Sequence, residues 1–303
     1  MPAIWDDSSA KAVSTDSPAA TPAAAPDLVA CVVFLEAEAD TVVPASQGQY
    51  AHAAFLNLVR EADPSLAALL HDGQGRKPFT VSLLGGLGEG REDLVPLRAG
   101  GRCWLRFTLL EPALFRAFRA TLVTRGQELR VRIGPGVFRV LGVAGTTGSH
   151  PWAGAARAAD LAALQPAREL TLQFAAPTAW SAGGDGVRRM EVFPVPGLVF
   201  GGLASAWNAW CGGVCGRMGP DVRAYAEASA VVSHMRLATR ALQFGGRPQI
   251  GMVGTVTYTL LRDEAGMARR LRTLAEFAFY AGVGYRTAMG MGQVRCLRGR
   301  GSG

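Results

Sequence analysis

From Leu28 onward, apolar positions fall into an ordered series of period-two and period-3.6 stretches. Leu28-Val-Ala-Cys-Val-Val-Phe-Leu35 is a β run. After it, Glu36, Glu38 and Asp40 take alternate positions, hence one face of the strand's end. Over residues 47–61, Tyr50, Ala54 and Leu58, with Phe55 and Val59, recur at i, i+4 spacing and predict a helix. Asp63-Pro64 opens a second helix, Asp as N-cap and Pro in the first turn, with Leu66, Leu69 and Leu70 as its apolar side. Gly73 ends it where left-handed backbone is expected, which leaves His71 in the last turn. Residues 78–84 and 102–110 read as strands; the second puts Cys103, Leu105, Phe107 and Leu109 on one side. Glu111-Pro112 opens a helix through Val123, and residues 137–143 form the fourth strand. The order is β-α-β-β-α-β, the ferredoxin-like arrangement.

Residues 144–166 are rich in Gly and Ala and predict a connector with one short helix over 158–164. The pattern then recurs: a strand over 169–174 ending in Ala-Ala-Pro-Thr, helices over 198–210 and 221–228, and long strands over 231–242 and 251–261. In the last of these, Val256, Tyr258 and Leu260 alternate with Thr255, Thr257 and Thr259. Asp263 is positioned to cap a helix through Ala281, with Met267, Leu271, Leu274, Ala275 and Ala278 as its apolar stripe; a strand over 293–297 closes the chain. The expected fold is α+β, two tandem ferredoxin-like (RRM-like) domains at residues 27–145 and 167–303, joined by the connector 146–166. An Ala/Pro/Ser/Thr-rich segment, 1–26, is expected to be a disordered tail. The aromatic RNP strand of a true RRM does not appear.

Composition narrows the partner. The 303 residues are 49% hydrophobic and carry a formal charge of +7, with a pI near 9.6, which favours a polyanion. Nearly all the basic residues are Arg; only Lys11 and Lys77 are lysines. Cys31, Cys103, Cys211, Cys215 and Cys296 are odd in number and scattered, so no disulfide framework is expected. Cys211 and Cys215 have no second Cys/His pair nearby and read as small buried residues. No run of about eighteen apolar residues predicts a membrane span. The start, with Asp6 and Asp7, does not resemble a signal peptide, and a cytoplasmic location is expected.

Candidate chemistry is sparse. No zincin, nucleophile-elbow or Walker motif is present, and no metal or other cofactor is expected. Glu36, Glu38 and Asp40 fit a solvated strand end better than a metal site. What remains is a reaction needing only proton transfers and charge stabilisation, such as RNA cleavage by its own 2′-hydroxyl. Histidine titrates near neutral pH, and His71 sits at a helix end whose carbonyls favour a cation. Lys77 lies six residues on, across a Gln-Gly-Arg turn. The plainer alternative makes His71 a helix cap and Lys77 a surface lysine. His234, Arg236 and Arg240 share one strand face, and Arg188, Arg189, Arg247, Arg286, Arg295, Arg298 and Arg300 add charge nearby in sequence. They form either an RNA groove or a solvated basic face.

Ala281-Gly-Val-Gly-Tyr-Arg-Thr-Ala-Met-Gly-Met-Gly-Gln-Val294 sets Gly282, Gly284, Gly290 and Gly292 around Tyr285, Arg286 and Thr287. Such a loop can turn backbone N–H groups toward an anion. Helix before and strand after is the reverse of a dinucleotide-binding turn, and no Gly-Lys-Ser/Thr closes it as a P-loop. The segment resembles the C-terminal glycine-rich signature of the CRISPR-associated endoribonucleases that process precursor crRNA, within the RAMP superfamily. His71-Asp-Gly-Gln-Gly-Arg-Lys77-Pro-Phe-Thr-Val-Ser82, Phe174-Ala-Ala-Pro-Thr178 and Val253-Gly-Thr-Val-Thr-Tyr258 are similar to further segments of that family. The resemblance implies general acid/base chemistry for His71 and transition-state stabilisation for Lys77. It also implies a CRISPR repeat RNA or precursor crRNA as partner, with the glycine-rich loop, His234, Arg236 and Arg240 on the RNA. A tyrosine that some members carry on the preceding helix is replaced here by Leu56, which leaves that role to Tyr50 or His52 or leaves it empty. The non-enzymatic alternative is a RAMP-type subunit that only binds crRNA among the proteins of an effector complex. A third class, a small-molecule-binding ferredoxin-like enzyme, would lack salt-dependent RNA affinity.

Overall fold

A computed structural model of the chain describes residues 25–73, 75–87, 94–182, 189–262, 264 and 266–297, the side chains of 127 and 182 excepted. The tail of residues 1–24, the Asp263 cap, and Arg188, Arg298 and Arg300 lie outside the described residues.

The first half contains β1 (Leu28–Ala37), β2 (Thr41–Pro44), α1 (Gly48–Ala62), α2 (Pro64–Asp72), β3 (Phe79–Val81), β4 (Leu94–Leu97), β5 (Arg102–Leu109), α3 (Pro112–Arg125), β6 (Arg130–Ile133), β7 (Gly136–Ala144), β8 (Gly154–Ala156) and α4 (Ala158–Ala162). The second contains β9 (Glu169–Thr178), β10 (Trp180–Ala182), β11 (Arg189–Glu191), α5 (Pro196–Trp210), α6 (Gly212–Cys215), α7 (Asp221–Ser229), β12 (Ala230–Phe244), β13 (Arg247–Leu260), α8 (Met267–Ala281) and β14 (Val294–Leu297). Sheet order is β3-β5-β1-β7-β6 in the first half and β12-β13-β9-β14 in the second. Numbering only the strands of each βαββαβ unit, both read 2-3-1-4, the ferredoxin-like order. The chain is α+β with two such folds.

Residues 146–166 are more than a connector. β8 pairs antiparallel with β1, and Ala158 of α4 enters the apolar cluster built around α5 and α8. An Ala/Gly stretch reads as a loop because its small side chains show no period, yet here they allow close packing. The expected strand over 78–84 regularises only at Phe79–Val81, although Ser82 N–H still reaches the Arg106 carbonyl at 2.9 Å. The two long strands of the second half form one hairpin across Gly245–Gly246, both in left-handed backbone.

Asp63 caps α2 as expected, its carboxylate accepting from Leu66 N–H at 2.9 Å. Gly73 does not adopt the left-handed cap; its φ and ψ are −56° and 127°. The lysine side chain satisfies the helix end instead: Lys77 Nζ donates to the carbonyls of Leu70 (2.5 Å), Gly73 (2.6 Å) and His71 (3.4 Å). The three carboxylates at and beyond the end of β1 are ion-paired. Glu36 meets Arg139 and Arg102, Glu38 meets Arg130, and Asp40 meets Arg98. Arg139, then Arg102, holds the Glu36 carboxyl below its usual range.

The two halves share apolar packing. Leu28, Ala30 and Leu110 lie in the same cluster as Phe277, Ala278 and Ala281 of α8. At this seam Arg106, 2% exposed, donates to Trp152 O at 2.8 Å and Phe279 O at 2.5 Å and lies over the Phe279 ring at 4.4 Å. The seam fixes where the last loop of the second half meets the first helices of the first.

Candidate active site

Four stretches of chain converge on one cavity of about 800 Å³: α1, the end of α2, the turn before β3, and the loop after α8. His52, His71, Lys77, Gly284, Tyr285, Arg286 and Thr287 all line it. A helix-terminal histidine and a loop more than two hundred residues downstream thus face the same space.

The glycine-rich loop owes its shape to close approach. Gly282, Gly284, Gly290 and Gly292 have φ of 66°, 85°, 87° and 72°, and Arg286, at 55°, is the one non-glycine with positive φ among the described residues. Side chains cost about 1–2 kcal/mol there, so the glycines avoid strain that Arg286 bears. A Cβ on Gly292 or Gly284 would run into the carbonyls of Val283 or Ala179. Several of the loop's N–H groups, expected to turn toward an anion, are instead taken within the protein. Val283 N–H goes to Gly292 O, Tyr285 N–H to Ala179 O, Met289 N–H to Arg286 O and Gly292 N–H to Pro177 O. These glycines let the loop fold on itself, with the Thr287 methyl packed against Gly282 and Gly292, and Tyr285, Arg286 and Thr287 line the cavity. The Arg286 guanidinium stacks 4.3 Å from the Phe244 ring centroid and 5.2 Å from that of Tyr285.

His52 is held by α1 and by the loop, its Nδ1 lying 2.9 Å from Ala288 O. That contact assigns the neutral ring's proton to Nδ1 and leaves Nε2 with a lone pair. Burial lowers the pKa of His52 below 6.5, and the charges of Lys77 and His71 lower it further. It is a neutral base at pH 7. His71 is exposed, with Nδ1 3.0 Å from Asp72 Oδ1. Its imidazole does not take the helix-end carbonyls; Lys77 does. Tyr50 does not line the cavity and lies instead near Gly134, so between Tyr50 and His52 the structure brings only His52 to the site. Leu56 forms apolar wall.

His234, Arg236 and Arg240 are exposed on β12 and do not line this cavity. They pair with Thr257, Thr255 and Gly251 of β13, while Val256 and Tyr258, which alternate with the threonines, face the helices, so the basic residues occupy the sheet's other face. Arg295 is tied to Gln173 at 2.7 Å and lies over Trp152. Two cations absent from the expected set, Arg60 and Arg76, do line the cavity. Arg60 carries a readable signal, since it follows His52 by eight residues on the helix face away from Phe55 and Val59. Arg76 had none beyond its place beside Lys77.

The model of the CRISPR-associated endoribonuclease Cas6 matches residues 172–294, and that of the Cas6 N-terminal domain matches residues 30–163. Among solved structures, the Thermus thermophilus Cas6 TTHB231 product complex is 29% identical with a TM-score of 0.76, covering 89% of this chain and 99% of its own. The Cas6 TTHA0078 product complex is 30% identical with a TM-score of 0.70 over the same shares. A RAMP protein described as binding different RNA substrates, 15% identical with a TM-score of 0.56 over 89% of this chain and 100% of its own, shares the fold. No curated protein matches the chain in sequence. Two family models that together span most of the chain, and a solved relative at 30% identity matched over nearly all its length, lead to one conclusion: the chain belongs to the Cas6 family of CRISPR-associated endoribonucleases.

Proposed function

We propose that the protein binds CRISPR repeat RNA and cuts precursor crRNA without a metal ion, by attack of the 2′-hydroxyl on the adjacent phosphorus. The new bond joins O2′ to phosphorus, the bond to O5′ breaks, and the products end in a 2′,3′-cyclic phosphate and a 5′-hydroxyl. One group must remove the 2′ proton and another must supply a proton to O5′. The observation that carries this reading is two histidines, a lysine and the Arg286 turn around one cavity. His52 suits the base, since burial keeps it neutral with Nε2 open. His71, solvent-accessible at the same cavity, exchanges the second proton. The three donors of Lys77 are committed to carbonyls, so it acts here as a fixed charge in the wall and as the clamp that positions His71. Arg286 and Thr287 hold the phosphate's other side. The exposed residues His234, Arg236 and Arg240 offer a separate backbone-binding surface.

Labelled repeat RNA incubated with the protein in EDTA tests this directly. Cleavage should persist with a cyclic phosphate end, and His71→Ala or His52→Ala should each slow it by about 10²–10⁴-fold. A requirement for Mg²⁺ would overturn the mechanism. Tight binding with no product would favour the crRNA-binding subunit instead.

A further inference from the structure

Arg76, Gly284 and Tyr285 line a second cavity as well as the first. It is larger, about 1060 Å³, and runs from these residues along α5 to the start of α7. One face of α5 supplies its floor: Gly197, Gly201 and Ser205 follow at four-residue intervals, with Gly202 beside them. Gly197 and Gly201 lie under the side chains of Glu227 and Arg223 of α7, whereas a Cβ on Gly202 would meet nothing within 4 Å, so the open part of the floor is at Gly202 and Ser205, where a ligand's backbone can lie close. Three guanidinium groups, Arg76, Arg217 and Arg223, surround this floor, and no carboxylate lines it among the described residues. Arg223 is paired with Glu227 at 3.0 Å; neither Arg76 nor Arg217 has an acidic partner among the described residues. Solvent reaches Arg76, yet the protein crowded around its guanidinium disfavours the charge and pulls its pKa down. An uncompensated cation is thus held where the two cavities join. On the wall stands Trp180, 6% exposed, whose indole N–H finds no acceptor among the described residues.

We propose that the second cavity takes the ribose-phosphate strand on one side of the scissile phosphate, so that unpaired RNA leaves the catalytic cavity past Arg76 and runs along α5. This rests on the reading of the first cavity as the cleavage site. Arginines without counter-ions beside small residues and one aromatic wall suit a single strand followed by its phosphates. The volume lies at the upper end of small-molecule pockets, and Arg76, Gly284 and Tyr285 line both cavities, as expected for a polymer passing from one to the other.

The test uses the full chain and two variants at residues that do not line the first cavity. Gly202→Glu adds bulk and negative charge where a Cβ meets nothing within 4 Å, and glutamate favours a helix interior over glycine, so the fold should hold. Arg217→Ala removes one uncompensated cation. Thermal melting checks both. Binding is read by fluorescence anisotropy with repeat RNA carrying a 2′-deoxy sugar at the cut, and with the same RNA shortened from its 5′ or its 3′ side. The expected result is about a tenfold weaker Kd for the whole repeat, as when a hydrogen bond to a charged group is lost. The slope of log K against log salt should become shallower by about 0.7 for Arg217→Ala. The loss should disappear with RNA shortened on one side and persist with RNA shortened on the other. Unchanged affinity in both variants would overturn the proposal, as would equal losses whichever end is trimmed. Because only binding is read, a failure of the cleavage mechanism leaves this comparison intact.

Discussion

Gly48→Ala should separate catalysis from stability, because Gly48 is where the first residue of α1 meets the short turn within the glycine-rich loop. A Cβ there would stand 2.6 Å from the Met289 carbonyl carbon and closer still to its oxygen. Carbon atoms rest about 3.5–4.0 Å apart, so the Thr287–Met289 turn would have to retreat by about 1 Å. That turn carries Ala288, whose carbonyl holds His52, and adjoins Arg286. Alanine favours helix over glycine by at most about 1 kcal/mol, against about 1–3 kcal/mol for overpacking. The net is a loss of about 1 kcal/mol, or roughly 2–4 °C in melting temperature for a chain of this size. Displacing catalytic groups by about 1 Å can cost about 10²-fold in rate. Single-turnover cleavage of repeat RNA in EDTA, set beside a thermal melt, reads both quantities. A variant that melts with the parent and cuts within twofold of its rate would refute the idea that this contact registers the two halves of the site.

The pH dependence of stability follows from His52. Its folded pKa lies below 6.5, so between those two values the unfolded chain binds more protons. The stability His52 contributes is therefore fully present above pH 6.5 and is lost as pH falls through the folded value. His150 is shifted the same way, by burial and then by Arg106, so the measurement compares the parent with His52→Gln. Urea midpoints taken from pH 7.5 down to 5 should fall less steeply in the variant, and parallel curves would contradict the assignment. Arg106→Ala should lower stability by about 3 kcal/mol, since it strands the carbonyls of Trp152 and Phe279 and empties the space between the halves. Calorimetry should show a melting temperature lower by more than 5 °C, and a smaller shift would mean the seam closes without it.

Local rules made much of this protein legible. Period-two and period-3.6 patterning placed the βαββαβ elements of both halves, because each element buries one face and that face must recur at the element's own spacing. Asp63-Pro64 marked a helix start because capping is decided within a few residues. Residues such as Gly154 to Ala156, whose pairing partner lies more than a hundred positions away, left no such trace. Gly73 looked like a left-handed cap only because the competing solution, a lysine reaching back across the turn, is invisible until Lys77 is placed in space.

The sequence by itself determined the element order and the glycine-rich loop and offered His71 and Lys77 as candidates, since these depend on neighbours along the chain. Only the tertiary structure decided that His52 rather than Tyr50 lines the same cavity as these two and that Arg76 lines both cavities. It alone showed the loop's glycines to be points of close contact with α1, Leu83 and Ala179. The reason is physical: a side chain's neighbours across a domain seam are set by packing between distant segments, and nothing within a few residues encodes that choice.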